Sequence, residues 1–231
     1  MSRGETTRAR ILKAAEALFA KHGVAQTTLR AITSAARVNM AAVNYHFGSK
    51  ERLAEDVFVE VARRANTQRI EMLDGVISAA ASRGLRPSMA EIIRCFVHPY
   101  LNDQEPWTGL LLAHLILTRR VQPQPWARNA IELAHFDDMA QRFIDAFHQA
   151  SGLSTAECYW RYYFMVSTMV LSTADATQSK RFQRLSNGTC NPADRAAMRR
   201  EVCTYLVNAF QNAPAPAQES ATASQETEPQ L

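Results

Sequence analysis

Apolar positions along this chain recur at helical spacing nearly everywhere, and no run alternates apolar and polar residues between turn signals as a strand would. The fold class this predicts is all-α. A first helix spans about 6–22, with a stripe of Ile11, Ala14, Ala15, Leu18 and Phe19 and a stop at Gly23. A short second helix starts at Thr27-Thr28, either of which can cap it, and ends near Arg37. A short third helix covers about 40–47, stopped by Gly48, and Ser49 caps a long fourth helix over 50–81.

Gly84 and Pro87 separate that helix from a fifth over 88–101, where Ser88 and Glu91 have capping-box spacing. A sixth, over 107–120, is apolar nearly all round and is expected in the core. A seventh covers 126–150. An eighth, opened by a Ser154–Glu157 capping box, carries Tyr159, Trp160, Tyr162, Tyr163 and Phe164. The stretch 180–190 reads as a loop. Asn191-Pro192 then opens a ninth helix over 193–211 with Met198, Val202, Tyr205, Leu206 and Ala209 on one face. From residue 213 on, Pro, Ala, Ser, Thr, Glu and Gln leave almost nothing to bury, and a disordered tail is expected. The implied domains are a three-helix head at 1–50, a larger helical body at 51–212 and the tail at 213–231.

Two short helices joined by a tight turn, behind an amphipathic first helix, follow the helix-turn-helix plan. The third helix has Ala42, Val43 and Phe47 on its inner side and Asn39, Asn44, Tyr45 and His46 on its outer side. A helix that short is not stable alone, so the inner side must rest on Ile11, Ala15, Leu18, Phe19, Leu29 and Ile32.

Charge sharpens this picture. The first 50 residues hold eight Lys and Arg against two acids, whereas the tail holds Glu219, Glu226 and Glu228 and no base. A basic head on a nearly neutral body suits a polyanion. The four cysteines have no metal-ligand spacing, and no nucleophile motif or phosphate-binding glycine loop occurs, so no metal, cofactor or enzyme activity is expected. The charged N-terminus lacks a signal core and no stretch is long enough to span a bilayer, so the expected location is the cytoplasm, without a membrane partner.

The stretch 27–53, TTLRAITSAARVNMAAVNYHFGSKERL, closely resembles the signature of TetR-type transcriptional regulators, above all at Tyr45-His46-Phe47, Lys50 and Leu53. The resemblance implies a dimeric, ligand-responsive repressor on a palindromic operator. Its DNA-contacting positions fall on Thr28, Arg30, Met40, Ala41, Ala42, Asn44, Tyr45, His46 and Lys50. Met40, Ala41 and Ala42 can offer only apolar contacts, which leaves hydrogen-bond readout to Arg30 and Asn44. Plainer roles stay open: solvation for Arg30, capping for Asn44, packing on the first helix for Tyr45, a hydrogen-bonded helix end for His46. Arg37 stands where the family commonly has glycine, which implies either a strained turn or an added phosphate contact.

The body resembles PsrA-type regulators, which respond to fatty acids, at residues 94–101, 110–117 and 160–166. That implies a small apolar effector, a fatty acid or acyl-CoA. Phe96, Leu111, His114, Leu115, Phe143, Phe147 and Phe164 are candidate pocket walls, with plain core as the alternative. Tyr163, Val170, Met198, Val202, Tyr205, Leu206 and Ala209 are candidates for a twofold homodimer seam. A helical lipid carrier without a DNA role is the competing function.

Overall fold

A computed structural model describes residues 3–103, 106–121, 130–174 and 179–211. All its regular elements are helices: α1 Arg3–Gln26, α2 Leu29–Ala36, α3 Met40–Phe47, α4 Lys50–Ala81, α5 Met89–Leu101, α6 Pro106–Val121, α7 Ala130–Ser151, α8 Thr155–Ala174, α9 Ser179–Leu185 and α10 Arg195–Gln211. The expected tail and the start of the seventh helix at Trp126 lie outside the described residues. Among the described residues no helix is long and apolar enough to cross a membrane, and no His, Cys, Asp and Glu cluster is placed to hold a metal.

The head closes around one small core. Ile11, Ala15 and Phe19 of α1, Ile32 and Ala36 of α2, Val43 and Phe47 of α3, and Leu53 and Val57 of α4 are all buried there. Gly23 breaks α1 with φ 75° and ψ 160°, so the helix re-forms for a last turn to Gln26 rather than ending at the glycine. Thr28 is the α2 cap: its hydroxyl accepts from the Ala31 amide at 3.2 Å. Thr27 is instead buried and donates to the Gly23 carbonyl at 2.7 Å, which closes the α1–α2 turn.

The long α4 belongs to both parts. Its 32 residues span about 48 Å. The N-terminal third packs on the head, and Val61, Ala62, Ala65 and Leu73 continue the buried stripe into the body. Salt bridges Arg8–Asp56 at 2.6 Å and Arg64–Glu16 at 2.5 Å tie α1 to it, though each is partly exposed and worth at most about 1 kcal/mol. α1 also rests on α6, a second contact between head and body.

In the body α5 is enclosed, with nine of its thirteen residues buried between α4, α6, α7, α8 and α10, and Leu111, Leu112 and Ala113 of α6 are buried as well. α6 crosses it so closely that a Cβ on Gly109 would overlap the Tyr100 carbonyl. The expected Ser88–Glu91 box does not form. Ser88 makes no side-chain cap bond, and its carbonyl receives the Ile92 amide at 3.0 Å instead. The Ser154–Glu157 box does form, with the carboxylate accepting from the Ser154 amide at 2.9 Å and hydroxyl at 2.7 Å. Those bonds, the hydroxyl first, hold the Glu157 carboxyl below the usual range.

Two boundaries differ from the sequence reading. The expected loop over 180–190 contains α9, a short helix whose Phe182 and Leu185 are both exposed. The final helix starts at Arg195, because Asp194, not Asn191, caps it by accepting from the Ala197 amide at 3.0 Å.

Candidate nucleic-acid interface

The α2–α3 turn sets the geometry of the head. Arg37 caps α2 in the left-handed conformation, φ 53° and ψ 50°, and its amide donates to the carbonyls of α2's last turn. The left-handed residue of the turn thus falls at the position where the resembled family commonly has glycine. Arg10 of α1 reaches across and donates to the Arg37 carbonyl at 2.9 Å and to the Ala36 carbonyl, a cation at the negative end of α2. Asn39 then caps α3 by accepting from the Ala42 amide at 2.9 Å. Such a cap is worth about 1 kcal/mol to a helix this short.

With Val43 and Phe47 anchored below, α3 turns its other residues outward. Met40, Ala41, Asn44 and Tyr45 are exposed, Tyr45 at 86%, while Ala42 and His46 are half-buried. That exposure removes the packing role left open for Tyr45. Thr28 and Arg30 on α2 lie beside them, Thr28 exposed and Arg30 exposed, although the Thr28 hydroxyl also serves the cap. Lys50, half-buried at the first residue of α4, donates to the Ala25 carbonyl at 3.1 Å. It lies at a helix N-terminus whose free amides favour an anion. Next to it, hydrogen bonding to its own backbone amide and then to Ser49 holds the Glu51 carboxyl below the usual range. The nine residues named from the sequence thus lie on α2 and its cap, α3 and the start of α4.

Sequence reasoning passes over the residues that hold this surface rigid. Arg10 is one. Arg8 is another: it stacks 5.4 Å from the centre of the Phe47 ring while pairing with Asp56. In the sequence both arginines register only as basic charge, and their place at the start of the apolar stripe of α1 is the signal that could have found them.

The body candidates separate into two groups. Phe96, Phe143 and Phe147 are fully enclosed, with ring centres 5.3 Å apart for Phe96–Phe143, and Phe147 stacks on Phe210 at 4.1 Å. Leu111 is buried with them. These side chains pack on one another. Phe164 is on the opposite side of α8, 56% exposed and stacked on Trp160, so it does not reach that core. His114 and Leu115 are on α6, and their side chains lie outside what the structure describes.

The seam candidates divide as well. Val170 of α8 is buried within the protomer. Val202 and Leu206 of α10 are buried there too, and Met198 is half-buried, because α10 presses its apolar face onto α5. That face is therefore covered by the chain itself. Tyr163 and Tyr205 are exposed, and Ala209 is half-buried. Tyr163 belongs to a stripe with Trp160, Phe164 and Leu171, three residues absent from the seam candidates, whose 3-4-7 spacing puts four exposed apolar residues on one side of α8.

Comparison with known proteins fits this architecture. Residues 11–57 match the family described as bacterial regulatory proteins, tetR family, and residues 94–209 match the tetracyclin repressor-like C-terminal domain. No curated protein matches the chain. Among solved structures, a TetR-family transcriptional regulator from Streptomyces coelicolor is similar at TM-score 0.54 and 16% identity, covering 90% of this chain and 97% of that one. A putative regulator of the same family from Shewanella sp. PV-4 is similar at TM-score 0.53 and 17% identity, covering 88% and 97%. GusR of Salmonella enterica follows at 0.50 and 19%, covering 90% and 98%. With its head and its body each matched in this way, the chain belongs to the TetR family of bacterial transcriptional regulators.

Proposed function

We propose that this regulator is a homodimeric repressor that sets two heads on a palindromic operator and releases it when a small effector occupies the body. The observation that carries this reading is the outer side of α3. Asn44 and the 86% exposed Tyr45 stand on a helix fixed by two caps and two buried anchors. A short helix held this firmly, with Arg30 and Lys50 beside it, suits the major groove and the phosphates flanking it.

The dimer follows from the uncharged stripe Trp160, Tyr163, Phe164 and Leu171, each about half exposed or more. A contiguous apolar patch on a soluble chain marks an interface. A second copy meeting it about a twofold axis would pair α8 with α8 and bring in the exposed Tyr205 of α10. Division of labour follows the boundaries read from the sequence, with DNA contacts in 1–50 and effector binding and dimerisation in 51–212. An apolar effector, a fatty acid or acyl-CoA, is supported by the likeness to PsrA-type regulators alone.

The reading is tested by mobility shift on the duplex upstream of the gene. A repressor binds a palindrome there as a dimer, and its affinity falls steeply as salt rises, by close to one logarithmic unit of slope per phosphate neutralised. A lipid carrier would bind acyl chains and ignore the duplex.

A further inference from the structure

The body holds a buried cation that no described residue supplies with a countercharge. Arg69, in the middle of α4, is 4% exposed, and its neighbour Asn66 is 1% exposed. Arg69 Nε donates to the Phe96 carbonyl at 3.0 Å, and one Nη donates to Asn66 Oδ1 at 2.8 Å. The guanidinium lies 4.5 Å from the centre of the Phe96 ring and 4.9 Å from that of Tyr100. Two donors remain. The second Nη of Arg69 and the Asn66 Nδ2 have no hydrogen-bond partner among the described residues. Among the described residues no carboxylate pairs with Arg69.

A charge taken out of water is costly unless it is paired, and aromatic faces return only a fraction of that cost. Tyr162 does not supply the pairing charge. Burial pushes its phenol up to about 12, even with Arg69 nearby pulling the other way, so it stays neutral. Asp137, whose charge also reaches Tyr162, is exposed on α7. An aliphatic residue at 69 would pack among the same rings without a charge to satisfy.

The partner that these groups fit is an anion with at least two acceptor oxygens, on a body apolar enough to lie among Phe96, Tyr100 and Tyr162. Arg69 and Asn66 stand three residues apart on one face of α4, so their spare N–H groups can share one carboxylate. We propose that the effector is a free carboxylic acid whose carboxylate is held by Arg69 and Asn66. This rests on the chain's being an effector-responsive regulator, and it selects an acid over a neutral ester, lactone or thioester. Arg69 also joins α4 to α5 through the Phe96 carbonyl, and about 28 Å of continuous helix separates it from Lys50. An acid that draws on the guanidinium therefore acts on the helix that carries the head.

The test uses the full chain and straight-chain monocarboxylates of about six to sixteen carbons, with their methyl esters, by calorimetry and thermal shift. At least one acid is expected to bind and to raise the melting temperature, and its ester is not. Arg69→Met, of similar length and uncharged, is expected to weaken that acid about 10- to 100-fold, the loss typical of a charged hydrogen bond, while keeping operator affinity. Asn66→Leu is expected to weaken it less. Acid and ester binding alike, an Arg69→Met variant that binds the acid as the parent does, or a series in which no acid binds would each overturn the proposal. So would chloride or phosphate competing as well as the acid, which would mark an adventitious counter-ion only. If Arg69→Met does not fold, the comparison of acid with ester on the unaltered chain decides. Operator binding is measured on the same preparations: its absence in the unaltered chain refutes the repressor reading, whereas its presence with no acid effect refutes this inference alone.

Discussion

Replacing Arg37 tests whether the α2–α3 turn stores strain. At φ 53° and ψ 50° a residue with a Cβ sits in a region that costs an L-residue about 1–2 kcal/mol. Glycine removes that cost but gives the unfolded chain more freedom, worth about 0.5–1 kcal/mol. Arg37→Gly should therefore be more stable than Arg37→Ala by about 0.5–1 kcal/mol. The comparison with alanine matters because both variants lack the exposed guanidinium, while both keep the backbone bonds from the Arg37 amide to Ser34 and from Arg10 to the Arg37 carbonyl. Urea unfolding gives the difference if the slope is unchanged and protein concentration is fixed, since a dimer's midpoint depends on concentration. A glycine variant no more stable than the alanine variant would refute the strained turn. The same pair separates the second possible role of this side chain. If Arg37 touches phosphate, both variants bind the operator with a salt slope shallower by about 0.9 for each phosphate no longer neutralised.

Further outcomes follow from particular side chains. Trp160→Glu and Phe164→Glu place charge in the exposed stripe of α8 and should convert dimer to monomer in sedimentation velocity with helicity intact; an unchanged dimer would move the seam elsewhere. Burial, followed by the charge of Arg199, pushes the His98 imidazole below its ordinary value of 6.5, and its Nε2 accepts from the Gln68 amide 3.2 Å away. The unfolded chain therefore takes up this proton first. Stability should fall as pH drops from about 7 through 6.5 toward the depressed folded value, and His98→Gln should flatten that fall in urea titrations at each pH. Burial also pushes the thiols of Cys95, Cys158 and Cys203 up, while Cys190 is exposed, so maleimide should label Cys190 first in the native protein. Fast labelling of Cys95 would contradict the enclosed α5.

Much of the head is legible because its signals are local. Thr28, Gly48 and Ser49 are caps or stops read from residue type, and Val43 and Phe47 are the apolar face of a two-turn helix, whereas Asn39, read as an outward residue, is the α3 cap. The body is less so, because periodicity shows that a face is apolar without showing what covers it. The face with Val202 and Leu206 reads as a seam between copies, yet α5 of the same chain covers it. α8 is apolar on two sides, and only burial separates the inner Cys158, Met165 and Met169 from the outer Trp160, Phe164 and Leu171. α9 escapes notice because it is a polar helix that buries no apolar face. Asn66 and Arg69 escape for the opposite reason: polar letters within a long helix read as solvated, although both are enclosed.

The central claim is that the outer side of α3 and the start of α4 grip DNA. Its most direct test is the combined variant Arg30→Ala, Tyr45→Ala and Lys50→Ala on the native promoter duplex, with helicity and dimer checked first. The account predicts that specific binding weakens by at least about 100-fold and that the remaining binding has a shallower salt slope, by about one unit for each phosphate set free. A folded dimeric variant that still holds the promoter at the parent's affinity and slope would contradict it.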